Sequence, residues 1–121
     1  MPARGCLLTA ALYRAERVVP NCNLIGPAKA ALESAARYIA AEVGPKRIRA
    51  NAISPGPIRT RAGSGIAHFN ELLAAEAAAA PRHQLVETED VGALAAFLVS
   101  DGARRITGTI IRVDGGQGAI A

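Results

Sequence analysis

The sequence predicts an α/β layer fold on a short parallel sheet, about three strands with flanking helices. Apolar runs of strand length alternate with longer stretches of helical period, and Gly or Pro punctuates the joins. Strands that alternate with helices imply parallel crossovers. Parallel strands normally have both faces covered within larger sheets, so an edge at the first strand marks a place where something is missing or supplied by a partner.

The first run, GCLLTAAL from Gly5 to Leu12, suits a strand buried on both faces. A charged turn, YRAERVVPN, leads to a helix from near Asn23 to about Val43, stopped by Gly44-Pro45. Within it Leu24, Ala28, Ala31, Leu32, Ala35 and Ile39 recur at helical spacing, and Lys29, Glu33 and Arg37 line another face at i,i+4 steps. Pro27 fits only if the helix begins no earlier than about Asn23, since proline removes a donor. Ile48 to Ile53 reads as the second strand, broken by Ser54-Pro-Gly-Pro57 into a Gly/Pro-rich loop through Gly65. Ile66 to Ala80 is helical in composition and ends at Pro81. Thr88-Glu-Asp caps a further helix whose Val91, Leu94, Ala95 and Leu98 face inward and which Asp101-Gly102 ends. Ile106 to Val113 is the last strand, closed by Asp114-Gly115-Gly116.

A chain of 121 residues is long enough for one domain, taken as residues 1–121. With 27 alanines and four aromatic residues, its core must be thin, built from Leu, Ile, Val and Ala. The net charge of +4 comes from arginines scattered singly or in pairs, which argues against nucleic acid as a partner. Two cysteines without metal-like spacing or a secretory leader fit a reducing cytoplasm. His68 and His83 lack Cys or acidic partners at ligand spacing, so no metal is expected. No stretch approaches the roughly 20 apolar residues that cross a bilayer.

The runs AERVVPN, NAISPGPIRT and IRVDGG, within a string extending from about Leu7 to Gly116, resemble the second half of the short-chain dehydrogenase/reductase superfamily. Within it they are most similar to the bacterial NADH-dependent enoyl-acyl-carrier-protein reductases. The resemblance implies part of a doubly wound, Rossmann-like sheet, without the amino-terminal half that carries the nucleotide-binding turn. It also implies NADH as cofactor, an acyl-carrier-protein thioester as substrate, and reduction of trans-2-enoyl thioesters in fatty-acid synthesis.

In that family a tyrosine stands seven positions before the active-site lysine, about two helical turns, so both groups lie near one face. The hydroxyl polarises or protonates the enolate oxygen and the ammonium binds cofactor ribose. Here the lysine slot is Lys29 and the tyrosine slot is Cys22. A thiol is a weak donor, and losing such a donor commonly costs about 100- to 1,000-fold in rate. A second family tyrosine falls at Leu12, with Tyr13 adjacent. The superfamily's wider Tyr-x-x-x-Lys arrangement would need tyrosine where Ile25 stands. By the same resemblance the Ile58 backbone holds the nicotinamide carboxamide, Thr60 reaches the pyrophosphate, and residues 61–80, with Phe69, form the substrate-binding segment.

Gly63-Ser64-Gly65 is not a dinucleotide fingerprint, because His68 occupies the third glycine position. Gly115, Gly116 and Gly118 have no helix after them to bind phosphate. The expectation is therefore a reductase-like chain that is inactive alone. The alternatives are a non-catalytic module that docks on a full-length reductase through the Ala-rich face of residues 28–40, and a gene remnant without selected function; the partners expected are a second copy in a homo-oligomer or a full-length reductase.

Overall fold

The computed structural model describes residues 4–11, 23–58 and 69–119. Three parallel strands form one open sheet in the order β1 (Gly5–Ala10), β2 (Ile48–Pro55), β3 (Ile110–Val113). Three helices accompany them: α1 (Ile25–Val43), α2 (Phe69–Ala79) and α3 (Thr88–Leu98). The α/β class and the strand count are as the sequence predicts.

The central strand β2 alternates in side-chain size, and the alternation sets both layers. Ile53 points to the α3 side, where it packs with Leu98 and Ala103, and Leu8, Val91, Leu94, Ala95, Ile106 and Ile111 close around them. The inward face predicted for α3 is the observed one. Residues of the opposite parity, Ala50, Ala52 and Ser54, are all small and all buried. Against such a surface a helix gains most contact by approaching closely, and α1 does so with Ala36 and Ala40, both buried.

This close approach overturns the predicted orientation of α1. Its buried residues are Gly26, Glu33, Ala36 and Ala40, whereas Leu24 is 81% exposed and Ile25, Tyr38 and Ile39 are also exposed. The larger apolar side chains therefore point away from the sheet. The helix starts at Ile25, so Pro27 lies in the first turn, where the missing N–H has no intrahelical acceptor to lose.

Three strands also differ from expectation. β1 is not buried on both faces: it is an edge strand, and Leu7 is half exposed. β2 continues through Ser54 and Pro55. Even-numbered residues of β2 donate toward β3, as Ala52 N–H does to Thr109 and Gly56 N–H to Val113. A donor at 55 would point toward β1, which has ended, so proline sacrifices nothing there. Residues 106–109 are not strand, because Gly108 takes φ +70 and its N–H bonds Ala50 while the Asn51 side chain bridges Ile106 and Thr109.

Thr88 is the first residue of α3 and not its cap. Glu87 is the N-cap residue, and its N–H donates to the Asp90 carboxylate at 2.8 Å. At the other end of the crossover, Arg47 follows a 3-10 turn with φ 60, a left-handed conformation that disfavours a Cβ. We expect Arg47→Gly to stabilise the chain by about 0.5–1 kcal/mol, the relief of left-handed strain less the chain entropy glycine adds. An upward shift of the urea midpoint at unchanged slope checks this.

Candidate functional site

Parallel strands end on one side of their sheet, and that side is where ligands of α/β folds bind. In this chain the carboxyl side is formed by Ala10 and Ala11 of β1, by Pro55 to Ile58 after β2, and by Asp114 to Ala119 after β3. Lys29, in the second turn of α1, reaches back to it: Nζ donates to the Ala10 carbonyl at 3.0 Å. One ammonium donor is thereby fixed on the strand end and the charge is anchored at the edge. The neighbouring Glu33 is buried, so Lys29, Glu33 and Arg37 do not form a solvated ladder.

The β2 loop is held by a tie at Asp114, which in the sequence is only the closure of the last strand. The Asp114 carboxylate accepts from Gly116 N–H at 2.9 Å and from Gly118 N–H at 2.8 Å. Its backbone packs on Gly56, where a Cβ would stand 3.3 Å from the Asp114 Cα. Gly116, at φ +89, lies against Pro81, 3.1 Å from where its own Cβ would be. The start of the 55–58 loop, the end of α2 and the turn after β3 are thus wedged together. The signal was present as Pro-Gly-Pro and Asp-Gly-Gly, but only the fold shows that the two turns meet.

Ile58, half-buried, lines an open cleft of about 740 Å³ with Ala77, His83, Leu85 and the first turn of α3. That volume is in the range of small-molecule clefts. Glu87, Glu89 and Asp90 make its rim acidic. Among the described residues no group of three His, Cys, Asp or Glu side chains could hold a metal ion.

Of the predicted site residues, the structure places Lys29 and Ile58 on the same carboxyl side. Phe69 is the first residue of α2, and its side chain lies outside the described residues. Cys22, Leu12, Tyr13 and Thr60 also lie outside them, as does the 61–68 part of the predicted substrate segment.

The family model described as enoyl-(acyl carrier protein) reductase matches residues 1–117. The chain belongs to this family. It is 51% identical over 112 residues to the enoyl-(acyl-carrier-protein) reductase (NADH) FabI of Escherichia coli (strain K12), an overlap of 93% of this chain but 43% of that relative. The crystal structure of FabI from Candidatus Liberibacter asiaticus superposes with a TM-score of 0.94 at 40% identity, over 100% of this chain and 47% of that one. The Bacillus cereus enoyl-acyl carrier protein reductase, solved with NADP+ and indole naphthyridinone, gives 0.95 at 43% identity, again over 100% of this chain and 47% of that one. The chain thus spans less than half the length of the reductases it matches, with a Rossmann-like sheet that corresponds to part of theirs. No helix among the described residues is long and apolar enough to cross a membrane.

Proposed function

We propose that these 121 residues carry the cofactor-facing carboxyl edge of an enoyl-acyl-carrier-protein reductase without forming a complete active site, and that alone they do not reduce enoyl thioesters. The observation that carries the reading is the Lys29 ammonium, anchored on Ala10 beside the loop that leads to Ile58. An ammonium has three N–H donors, and among the described residues this one spends one on the Ala10 carbonyl, which leaves capacity for ribose hydroxyls. Lys29 would therefore hold the sugar of NADH, the Ile58 backbone the nicotinamide carboxamide, and Thr60 the pyrophosphate. When bound, NADH supplies the hydride for a trans-2-enoyl thioester presented by acyl-carrier protein. Residues 61–80, Phe69 included, would border the acyl chain.

Two features of the chain set the limit on activity. The tyrosine slot holds Cys22, whose thiol donates weakly to a developing oxyanion and whose thiolate repels it. The matched length also leaves more than half of each relative without a counterpart here. Calorimetric titration of NADH into the purified chain should give no binding at micromolar concentrations, and a crotonyl thioester should cause no loss of NADH absorbance. Turnover or micromolar binding by the chain alone would overturn the reading.

A second reading, a non-catalytic module that docks on a full-length reductase or on a second copy, is favoured by the outward face of α1. Leu24, Ile25, Tyr38 and Ile39 are exposed there together, an apolar stripe that a monomer leaves wet. Co-purification with a full-length enoyl reductase at micromolar concentration, abolished by Tyr38→Glu, is the result this second reading expects. Failure to co-purify at that concentration would sink it.

A further inference from the structure

The sheet's other side, where the strands begin, gathers basic residues. Arg4 precedes β1, Lys46 and Arg47 precede β2, and Gly5 pairs with Ile48, so these cations flank one another. Arg49 donates to the carbonyls of Ile106 and Ser100, at 3.3 and 3.5 Å, which brings it against the turn that carries Arg104 and Arg105. All but Arg49 are exposed. Among the described residues the carboxylates at this side are Glu42 and Asp101, so six cations face two anions there. What the sequence shows as scattered arginines becomes one basic edge.

Helix-end charge does not account for it. α1 and α3 both end on this side, and two helix carboxyl termini offer about one elementary negative charge together, far less than the excess. The edge also presents apolar surface. Phe97 and Val99, at the end of α3, are 48% and 57% exposed. The Phe97 ring lies against Gly102, close enough that a Cβ there would be 3.3 Å from it. Exposed arginine and aromatic side chains on one edge are the composition of protein-binding hot spots.

We propose that this basic edge, on the side opposite the cofactor-facing one, docks an acidic amphipathic protein surface. Its carboxylates pair with the forks of Arg47, Arg104 and Arg105, and an apolar side chain covers Phe97 and Val99. Single-stranded nucleic acid fits less well, since it needs successive aromatic platforms and Phe97 is the one aromatic residue at this edge among those described.

The test is fluorescence anisotropy with three labelled probes: an amphipathic Glu/Leu helical peptide, an oligoglutamate of equal length and a thymidine oligonucleotide. The amphipathic peptide should bind tightest, and more weakly as salt rises. Arg104→Glu/Arg105→Glu should lower its affinity about tenfold or more, and Phe97→Ala should lower it several-fold. The charge-matched control Arg37→Glu/Arg82→Glu should leave the reversed pair's larger loss unmatched. Because charge reversal could unsettle the turn, the neutral pair Arg104→Gln/Arg105→Gln is measured beside it and should show the same direction. The proposal is overturned by tighter binding of the oligonucleotide, by equal loss in the control, by equal binding of oligoglutamate, or by no binding of any probe.

Discussion

Leu98→Ala should destabilise the chain by about 3–4 kcal/mol, within the range measured for removing a buried leucine where the surroundings cannot collapse. Leu98 is fully buried at the point where α3, β2 and the segment before β3 meet, against Ile53 and Ala103. In a core of this size few side chains are large, so no neighbour can swing in to fill the space. A domain of this length rarely has more than about 5–15 kcal/mol to lose. Urea denaturation followed by far-ultraviolet dichroism should place the Leu98→Ala midpoint far below that of the parent. Leu24→Ala, at a site 81% exposed, should stay within about 0.5 kcal/mol of the parent and serves as the control.

The second large effect is expected at Asn51. Its side chain is 1% exposed, and its amide closes two bonds across the strand: Nδ2 donates to Ile106 C=O at 2.9 Å and Oδ1 accepts from Thr109 N–H at 3.2 Å. Asn51→Ala leaves the Thr109 donor without that acceptor while Ile106 keeps the Arg49 guanidinium. The cost should be about 2–3 kcal/mol, the penalty of a stranded buried group with a small void added. Asn51→Asp should cost at least as much, because a buried carboxylate would then face the Ile106 carbonyl. Amide exchange supplies the local readout: the Thr109 proton should exchange faster in both variants, and Gly56 N–H, bonded to Val113 at the far end of the sheet, should change less.

Asn51 also shows where the sequence stopped being legible. A polar residue inside an apolar strand carries no sign of whether it caps, binds or bridges, and its partners lie more than fifty residues away. The residues of α3 were readable because one periodic stripe, Val91, Leu94, Ala95 and Leu98, is both the most apolar face and the buried one. In α1 those two properties separate. Ala36 and Ala40 fit closely against Ala50 and Ala52, Glu33 is buried with them, and Ile25, Tyr38 and Ile39 are left outside, so hydrophobic period alone points the wrong way. The family motifs single out Lys29 and Ile58, and the fold puts both on the carboxyl side of the sheet. The Asp114 tie is not legible in the sequence because each of its turns satisfies a local pattern by itself, and what joins them is a contact between Gly56 and Asp114.

The pairings of the sheet have a kinetic consequence. β1 meets β2 only after the whole of α1 has intervened, and β2 meets β3 only after α2 and α3, so every pair of bonded strands is separated by at least one helix. Loop closure must precede every rung of the ladder, and such topologies fold slowly compared with chains of local contacts. While that search proceeds, Gly5–Ala10 would be a strand without β2, its partner in the sheet. The helices can form early on their own, but the surface that tells α1 which face to bury exists only once β2 is in place.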